Sequence, residues 1–264
     1  MIRKKVALVT GGSKGLGKNI AQRLAKEGFH VIINYHHDHE AAKQVVQRIN
    51  EIGQTAIALH GDVTNPSQMR ELFQQIEQQY HRLDVIVLSV GPFIRQRKTF
   101  YEMEWSETMD MIHGNLTSAL LTTSFALPMM RKQGRGRIIY FGFHRANEAP
   151  AWPDRSVYAA AKVGLVSFCK TLAVEEAPFG ITVNMIAPSD IVGDYKEKQI
   201  EQVIGMVDNE SLRGRPGTGE DVSRVVSFLC EDQSDFITGN VISVSGGLDI
   251  IHPISKQFQK ENEE

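Results

Sequence analysis

The sequence predicts a single α/β domain built on a doubly wound parallel sheet with helices on both faces. The chain has 264 residues, of which 42% are hydrophobic, and this is enough for one sizeable core. Between residues 6 and 90, four apolar strand-like segments alternate with amphipathic helical segments, and the first strand leads directly into a glycine-rich turn. We expect the domain to occupy residues 1–254, with a polar flap near 190–215 and a disordered tail at 255–264.

The composition argues against several classes of function. The 29 basic and 31 acidic side chains give a formal net charge of −2, so the charge balance does not indicate binding to nucleic acid or to an anionic membrane. No apolar run approaches the roughly 20 residues that a membrane-spanning helix needs. Cys169 and Cys230 lie in apolar helical patterns, which predicts two buried thiols in a reducing cytosol. We therefore expect a cytoplasmic protein that acts on a small molecule.

The glycine-rich turn follows the strand that begins at Val6, and the helical pattern after it begins near Lys18. The N–H groups of the first helical turn are free, and the helix dipole adds about half a positive charge there, so this position binds anions. Glycine lets the chain turn sharply and lets a pyrophosphate come close. The spacing is G-x-x-x-G-x-G, and the alternative to a dinucleotide site is a chance loop. The turn residues expected to contact a dinucleotide are Gly11, Ser13, Lys14, Gly15, Leu16 and Gly17.

The second strand, 29–34, ends where a dinucleotide-binding fold meets the adenosine ribose. An acidic side chain at that place would accept a hydrogen bond from the 2′-hydroxyl and repel a 2′-phosphate. No acid occurs here before Asp38, while Lys14 is close by in the glycine-rich turn, so we expect NADP to be preferred over NAD. The histidines that follow are expected in a surface loop with no metal, because their spacing suits a metal poorly. The residues expected at the ribose are Asn34, Tyr35 and His36.

Hydrophobic spacing predicts the remaining elements. Helices are expected over 40–52, 66–80, 105–131, 155–177 and 220–230, and strands over 55–59, 83–90, 134–142 and 241–244. Asp62 either accepts from an adenine amino group or serves only its own turn. Asn115 lies among apolar residues inside a helix, so it either faces solvent or has a specific task. The flap has an apolar stripe and is either a lid over the substrate or a surface insertion. That stripe consists of Ile200, Val203 and Ile204.

Tyr158 and Lys162 lie four residues apart in a strongly helical segment, so they are neighbours on one helix face. A free tyrosine has a pKa of about 10 and exchanges protons poorly at neutral pH. A nearby ammonium favours the phenolate, and each unit of pKa lowering corresponds to about 1.4 kcal/mol. The pair is therefore a candidate general acid for reducing a carbonyl, or general base for oxidising an alcohol.

These motifs together resemble those of the short-chain dehydrogenase/reductase family over essentially residues 5–250. The matching segments, in chain order, are 10–17, 62–63, Asn115, Tyr158-x-x-x-Lys162, Ile181–Pro188 and 237–247. The resemblance implies a Rossmann-like, about seven-stranded parallel sheet and hydride transfer between a nicotinamide and a carbonyl or alcohol. It further implies a homodimer or homotetramer formed through helices 105–131 and 155–177.

The resemblance also implies roles for individual residues. Tyr158 would be the acid or base, and Lys162 would lower the pKa of its phenol and bind the nicotinamide ribose. Asn115 would hold a water that relays protons, and Lys14 would lie against the 2′-phosphate of NADP. Ile191 would lie near the nicotinamide carboxamide. The remaining implied cofactor contacts are Asp62, Val63, Gly91 and Pro188.

The chain departs from the family pattern on the substrate side. Phe143 stands where the family has a catalytic serine, whose hydroxyl donates a hydrogen bond to the substrate carbonyl. Losing one such preorganised donor costs on the order of 10²–10³ in rate. His144 and Ser156 are the candidate substitute donors. The segments 88–91 and 188–189 also differ from the family pattern.

Two functions follow from this pattern. The first is an NADP-dependent carbonyl reductase resembling the 3-oxoacyl-[acyl-carrier-protein] reductases, with a 3-oxoacyl thioester as the leading substrate class. An acyl carrier protein would need basic residues near the site, and the candidates are Arg131, Lys132 and Lys170. The second is a catalytically impaired NADP-binding protein that acts as a redox sensor or assembly partner.

Overall fold

The protein was analysed as a computed structural model that describes residues 4–209 and 211–251. The strands in this part of the chain are β1 (Val6–Thr10), β2 (His30–Tyr35), β3 (Ala56–His60), β4 (Val85–Leu88), β5 (Gly136–Phe141), β6 (Ile181–Pro188) and β7 (Val241–Val244). They form one parallel sheet in the order β3-β2-β1-β4-β5-β6-β7. The predicted doubly wound sheet of about seven strands is confirmed.

Helices cover both faces of this sheet. The α-helices of the described residues are α1 (Gly15–Lys26), α2 (His39–Glu51), α3 (Pro66–Tyr80), α4 (Trp105–Ile112), α5 (Ser118–Gln133), α6 (Ser156–Glu176) and α7 (Gly219–Cys230). Strand residues alternate between two apolar clusters, because successive side chains point to opposite faces. Leu8 packs with α3, α5 and α6, whereas Ala7 and Val9 pack with α1, α2 and α7. The strand order reverses between β1 and β4, so a crevice opens at the carboxyl ends of these strands.

The predicted helix over 105–131 is interrupted. A π-helical turn, His113–Thr117, separates α4 from α5, and Asn115 lies in its middle. Such turns insert a residue into a helix and occur frequently at functional sites. The prediction of one continuous helix was therefore wrong at the residue that the sequence had singled out.

The flap consists of two short 3-10 turns, Gly193–Lys196 and Ile200–Val203. The predicted apolar stripe of the flap is confirmed only in part, because Val203 is fully buried while Ile204 is 70% exposed. Gly219, at the start of α7, has no side chain and so allows the flap to pack close to the domain. A Cβ at this glycine would overlap the carbonyl oxygen of Lys196. The predicted tail at 255–264 lies outside the described residues.

Both cysteines are buried and unpaired, as predicted. The helical run Ser156–Phe179 is long and apolar enough to cross a membrane by length and composition, although the sequence analysis expected no such segment. This is weak evidence for a membrane span, because the core helix of a globular domain passes the same test and about half of its most apolar stretch is buried in the protein.

Candidate active site

The glycine-rich turn brings the chain back on itself at the carboxyl end of β1. Gly11 has a φ of +62°, which favours glycine. Gly17 lies so close to this turn that a Cβ would be 2.4 Å from the carbonyl oxygen of Gly11. Helix α1 begins at Gly15, three residues before the predicted start, so the free N–H groups lie within the turn itself. The local geometry suits an anion such as a pyrophosphate.

A carboxylate of the flap already contacts this helix N-terminus. Oε1 of Glu197 accepts a hydrogen bond from the N–H of Gly15 at 2.9 Å, and its Oε2 lies 2.5 Å from Nζ of Lys18. Burial opposes ionisation of this carboxyl, but Lys18 and the Gly15 N–H together hold its pKa below the ordinary value. The sequence analysis missed this residue, which comes from a segment 182 positions away along the chain. The contact shows that this position stabilises negative charge.

The carboxyl end of β2 differs in detail from the prediction. Asn34 is buried and donates to the carbonyl oxygen of Gly61 at 2.8 Å, so its side chain ties β2 to the next loop. The hydroxyl of Tyr35 is hydrogen-bonded to His39 at 2.7 Å. His36 is exposed at this edge, and its ring stacks on His37 with the centroids 3.7 Å apart.

The charges at this edge are paired. Nζ of Lys14 lies 2.6 Å from the carboxylate of Asp38, which also accepts from the N–H of Ala41 and so caps α2. Asp62 accepts from the N–H and hydroxyl of Thr64, which is the turn role named above. Val63 beside it is buried. Lys14 is a cation of the turn itself, with a side chain that is 65% exposed. Among the described residues, no group of three or more His, Cys, Asp or Glu side chains is arranged to hold a metal.

The centre of the site lies where α6 and the π-helical turn meet the loop after β4. Lys162 is buried and its Nζ donates to the carbonyl oxygen of Phe141 at 2.9 Å. Asn115 is also buried, and its amide nitrogen donates to the carbonyl oxygens of Pro92 at 2.8 Å and Met111 at 3.0 Å. Its Oδ1 has no partner, although it is inaccessible to solvent. A buried acceptor of this kind calls for a ligand or an ordered water.

Gly91 brings these two groups to one point. A Cβ at this position would be 2.6 Å from Oδ1 of Asn115 and 3.2 Å from Nζ of Lys162. Glycine at residue 91 therefore lets the loop after β4 pack closely against both groups, and a larger side chain would displace them. The unpaired oxygen and the ammonium converge at this point, and a hydroxyl group can donate to the first and accept from the second.

Tyr158 lies beside Lys162, with its ring centroid 5.9 Å from Nζ of the lysine. The pKa values of Tyr158 and Lys162 do not follow the prediction made from the helical spacing of the two residues. Burial, and then the carboxylate of Asp190, raise the pKa of the Tyr158 phenol above its ordinary value. Burial lowers the pKa of Lys162 to about 8. The expectation of a lowered pKa for this phenol was wrong, because burial raises the pKa and the ammonium of Lys162 is not among the groups that shift it.

Aromatic rings surround the phenol on the substrate side. The ring of Tyr158 lies 4.9 Å from that of Phe93 and 6.0 Å from those of Phe143 and Trp152, and the last two rings are 4.9 Å apart. Phe143 is 2% exposed. Neither predicted substitute donor is hydrogen-bonded to Tyr158 among the described residues. His144 is hydrogen-bonded to Ser243 at 3.0 Å, and Ser156 is exposed at the start of α6.

Other predicted residues lie at the expected edge of the sheet. Pro188 ends β6, and Ile191 follows it as a buried residue of the apolar cluster around α1, α2 and α7. Two of the basic residues proposed for a carrier protein are already paired. Arg131 lies 2.6 Å from Glu176, and Lys132 lies 3.5 Å from Glu77. The third, Lys170, is exposed.

The arrangement fits a dinucleotide with a nicotinamide. The first turn of α1 presents its N–H groups at one end of the crevice, where that of Gly15 already binds Glu197. The unpaired oxygen of Asn115 and the ammonium of Lys162 converge at Gly91 at the other end. Phe93, Trp152, Asp190 and Glu197 were missed by the sequence analysis, because no local pattern distinguishes them from loop residues.

Known proteins match this chain over nearly its whole length. Residues 11–249 match a family model described as enoyl-(acyl carrier protein) reductase. The chain is 41% identical over 247 residues to a Bacillus subtilis protein named as an oxidoreductase, YtkK, covering 93% of this chain and 97% of that one. It is 33% identical over 244 residues to the 3-oxoacyl-[acyl-carrier-protein] reductase FabG of Staphylococcus aureus, covering 92% and 98% of the two chains.

A solved structure from Bacillus thuringiensis, described as a 3-oxoacyl-reductase, superposes on this fold with a TM-score of 0.88. The two chains are 40% identical, and the match covers 94% of this chain and 100% of the other. The agreement extends to the whole sheet and its helices.

Proposed function

Because the chain belongs to the short-chain dehydrogenase/reductase family, we propose that it is an NADP-dependent reductase of a carbonyl substrate. The observation that carries this proposal is the convergence at Gly91 of the unpaired Oδ1 of Asn115 and Nζ of Lys162, with the ring of Tyr158 beside them. An oxidoreductase needs a proton path to the atom that gains negative charge, and these groups form one. 3-Oxoacyl thioesters are the first substrate class to test, since FabG, a relative, is named for such a reaction.

The cofactor is held by two groups of residues in this proposal. The N–H groups of residues 15–17 bind the pyrophosphate. The ammonium of Lys14 leaves the carboxylate of Asp38 and pairs with the 2′-phosphate of NADP instead. Lys162 binds the nicotinamide ribose. When bound, reduced nicotinamide supplies a hydride to the substrate.

Tyr158 gives the proton in the same reaction. Its phenol remains protonated at neutral pH because burial raises its pKa, so it is a donor from the start. A proton lost to the substrate oxygen is replaced from Lys162 and from a water held by Oδ1 of Asn115. The lowered pKa of Lys162, about 8, makes its ammonium a proton donor near physiological pH.

An assay of NADPH oxidation tests the proposal. Purified protein is incubated with NADPH and a panel of 3-oxoacyl thioesters, diketones and aldehydes. We expect NADPH loss with at least one member, and we expect Tyr158→Phe to abolish it while leaving the NADPH dissociation constant within threefold. Phe168→Tyr, a ring change next to Tyr140 in the core of the same sheet face, serves as the control.

A second candidate function is an NADP-binding sensor without turnover. It is favoured by Phe143, which brings an apolar ring to the position where the family has a hydroxyl. Tight NADPH binding with no turnover across the whole panel would support this candidate and contradict the reductase.

We propose that the protein works as a homodimer or homotetramer in the cytoplasm. Exposed apolar side chains on α4 and α6 support an assembly through these helices, since Trp105 is 70% and Val174 76% exposed. Size-exclusion chromatography with light scattering tests this, with a monomer at micromolar concentration as the contradicting result.

A further inference from the structure

Three aromatic side chains form a wall against the substrate side of Tyr158. This aromatic wall consists of Phe93, Phe143 and Trp152. Phe143 and Trp152 pack against each other, and Phe143 is almost fully buried, so the inner part of the wall is fixed by the core. Phe93 packs at a steep angle to the ring of Tyr158 and is 41% exposed.

A charged side chain holds the outer part of the wall. The guanidinium of Arg155 lies 4.9 Å from the ring centroid of Phe93. Arg155 also donates to the carbonyl oxygens of Arg95 at 2.8 Å and Gln96 at 3.0 Å. The loop after Phe93 is therefore tied through Arg155 to the start of α6, three residues before Tyr158. A ring held in this way is prearranged to contact a ligand.

The wall lacks hydrogen-bond donors apart from the indole N–H of Trp152. No hydroxyl stands beside the phenol at residue 143, and His144 is engaged with Ser243. A substrate carbonyl bound here receives a hydrogen bond from Tyr158 and lies among apolar rings, while the nearby carboxylate of Asp190 is an acceptor only. Loss of one preorganised donor costs on the order of 10²–10³ in rate for an ordinary carbonyl.

We propose that the aromatic wall selects flat, apolar α-dicarbonyl compounds, whose second carbonyl makes the reacting carbon electron-poor enough to be reduced with a single hydrogen bond. This rests on the proposed reductase function. Reduction adds two electrons and two protons to the substrate carbonyl, as one hydride and one proton. A hydride reaches its carbon from reduced nicotinamide, which is oxidised, and the Tyr158 phenol gives a proton to its oxygen. The product is an α-hydroxyketone.

Competing substrates test the selection. We compare kcat/KM for 1-phenyl-1,2-propanedione, for the matched monoketone phenylacetone, and for a 3-oxoacyl thioester. We expect the diketone to exceed both others by at least tenfold. Equal or higher kcat/KM for the thioester would overturn the proposal.

Two variants at Phe143 supply the second arm. Phe143→Tyr keeps the ring and adds a hydroxyl, and Phe143→Ser restores the family residue at the cost of a cavity. We expect at least one of them to raise kcat/KM for the monoketone by about 10²-fold, with a change in the diketone value below tenfold. A parallel loss for all three substrates in both variants would contradict the single-donor argument. Trp152→Phe tests the indole N–H, and a loss above 10²-fold would show that Trp152 is a second donor and overturn the proposal.

Ligand binding provides a readout independent of turnover. The chain has two tryptophans, so Trp105→Phe leaves Trp152 as the fluorescent reporter. We expect the diketone to quench Trp152 and the thioester to quench it at no less than tenfold higher concentration. Quenching without NADPH oxidation would contradict the reductase but retain the wall. Turnover of the thioester without quenching by the diketone would contradict the wall but retain the reductase.

Discussion

Gly91→Ala is the substitution whose consequence follows most directly from the geometry. The added Cβ would lie 2.6 Å from Oδ1 of Asn115 and 3.2 Å from Nζ of Lys162, whereas ordinary van der Waals contacts begin at 3.4 Å. Asn115 must therefore retreat by about 0.8 Å, the difference between 3.4 and 2.6 Å, or the loop after β4 must move. Asn115 is held at both amide hydrogens, so this movement is resisted.

The expected effect is large on catalysis and moderate on stability. A misplacement near 1 Å costs about 10²-fold in rate, and we expect kcat for the best substrate to fall by that factor. Overpacking of this size costs roughly 1–3 kcal/mol in the free energy of unfolding. Steady-state kinetics and urea denaturation measure the two effects. The control is Gly164→Ala in α6, where the added Cβ meets Leu116 at an ordinary 3.6 Å.

The kinetic results for the two variants separate a specific role of Asn115 and Lys162 from a general disturbance of α6. If Gly91→Ala retains more than half of the wild-type kcat while remaining folded, the convergence of Asn115 and Lys162 has no part in the reaction. If Gly164→Ala loses activity to the same extent, the loss reflects general disturbance of α6.

Three further predictions concern cofactor choice, the flap and the buried lysine. Lys14→Ala should raise the NADPH dissociation constant about tenfold and leave that for NADH within twofold, because a charge-assisted contact to the 2′-phosphate is lost. Fluorescence titration measures both dissociation constants, with Lys26→Ala as the control. An equal change for the two cofactors would contradict the role of Lys14. Glu197→Gln should lower the NADPH dissociation constant about fivefold, since a neutral amide competes less well for the Gly15 N–H, and weaker binding would show that the flap carboxylate assists the cofactor. Burial lowers the pKa of Lys162 to about 8 from an ordinary 10.5. Between these two pH values the unfolded chain binds more protons at this group than the folded chain does. The contribution of Lys162 to the free energy of unfolding therefore rises with pH across that window. The wild-type free energy of unfolding minus that of Lys162→Met should therefore increase from pH 8 to pH 10 in urea denaturation, and a constant difference would place the pKa of Lys162 near its ordinary value.

Local sequence pattern was sufficient for most of the fold. The apolar strands and amphipathic helices could be located because burial on a fixed face imposes a period of two or 3.6 residues. The glycine-rich turn was located because a strand, a set of glycines and a helix are adjacent in the chain. Tyr158 and Lys162 were paired correctly for the same reason, since four residues make one helical turn.

The features that sequence analysis missed depend on distant contacts. Glu197 reaches Gly15 from a flap that has no periodic pattern of its own. The π-helical turn at Asn115 forms against Pro92, in the loop after β4.

The pKa of Tyr158 was predicted in the wrong direction for a related reason. Helical spacing identifies the neighbouring ammonium, but it does not identify the rings that remove water from the phenol. Phe93 and Trp152 come from separate loops and are placed only by the folded chain. Desolvation is thus a tertiary effect that a local charge pair does not reveal.

The central claim is that Tyr158, Lys162 and Asn115 serve hydride transfer from a nicotinamide. The most direct measurement uses NADPH carrying deuterium at C4 of the nicotinamide ring, with the preferred carbonyl substrate and detection of the product by mass spectrometry. Our account predicts deuterium on the carbinol carbon, a primary isotope effect in single-turnover kinetics, and loss of label transfer in Tyr158→Phe with NADPH still bound. Undiminished label transfer by Tyr158→Phe would contradict the assignment of the phenol, and NADPH binding without any label transfer by the wild-type protein would contradict the reductase.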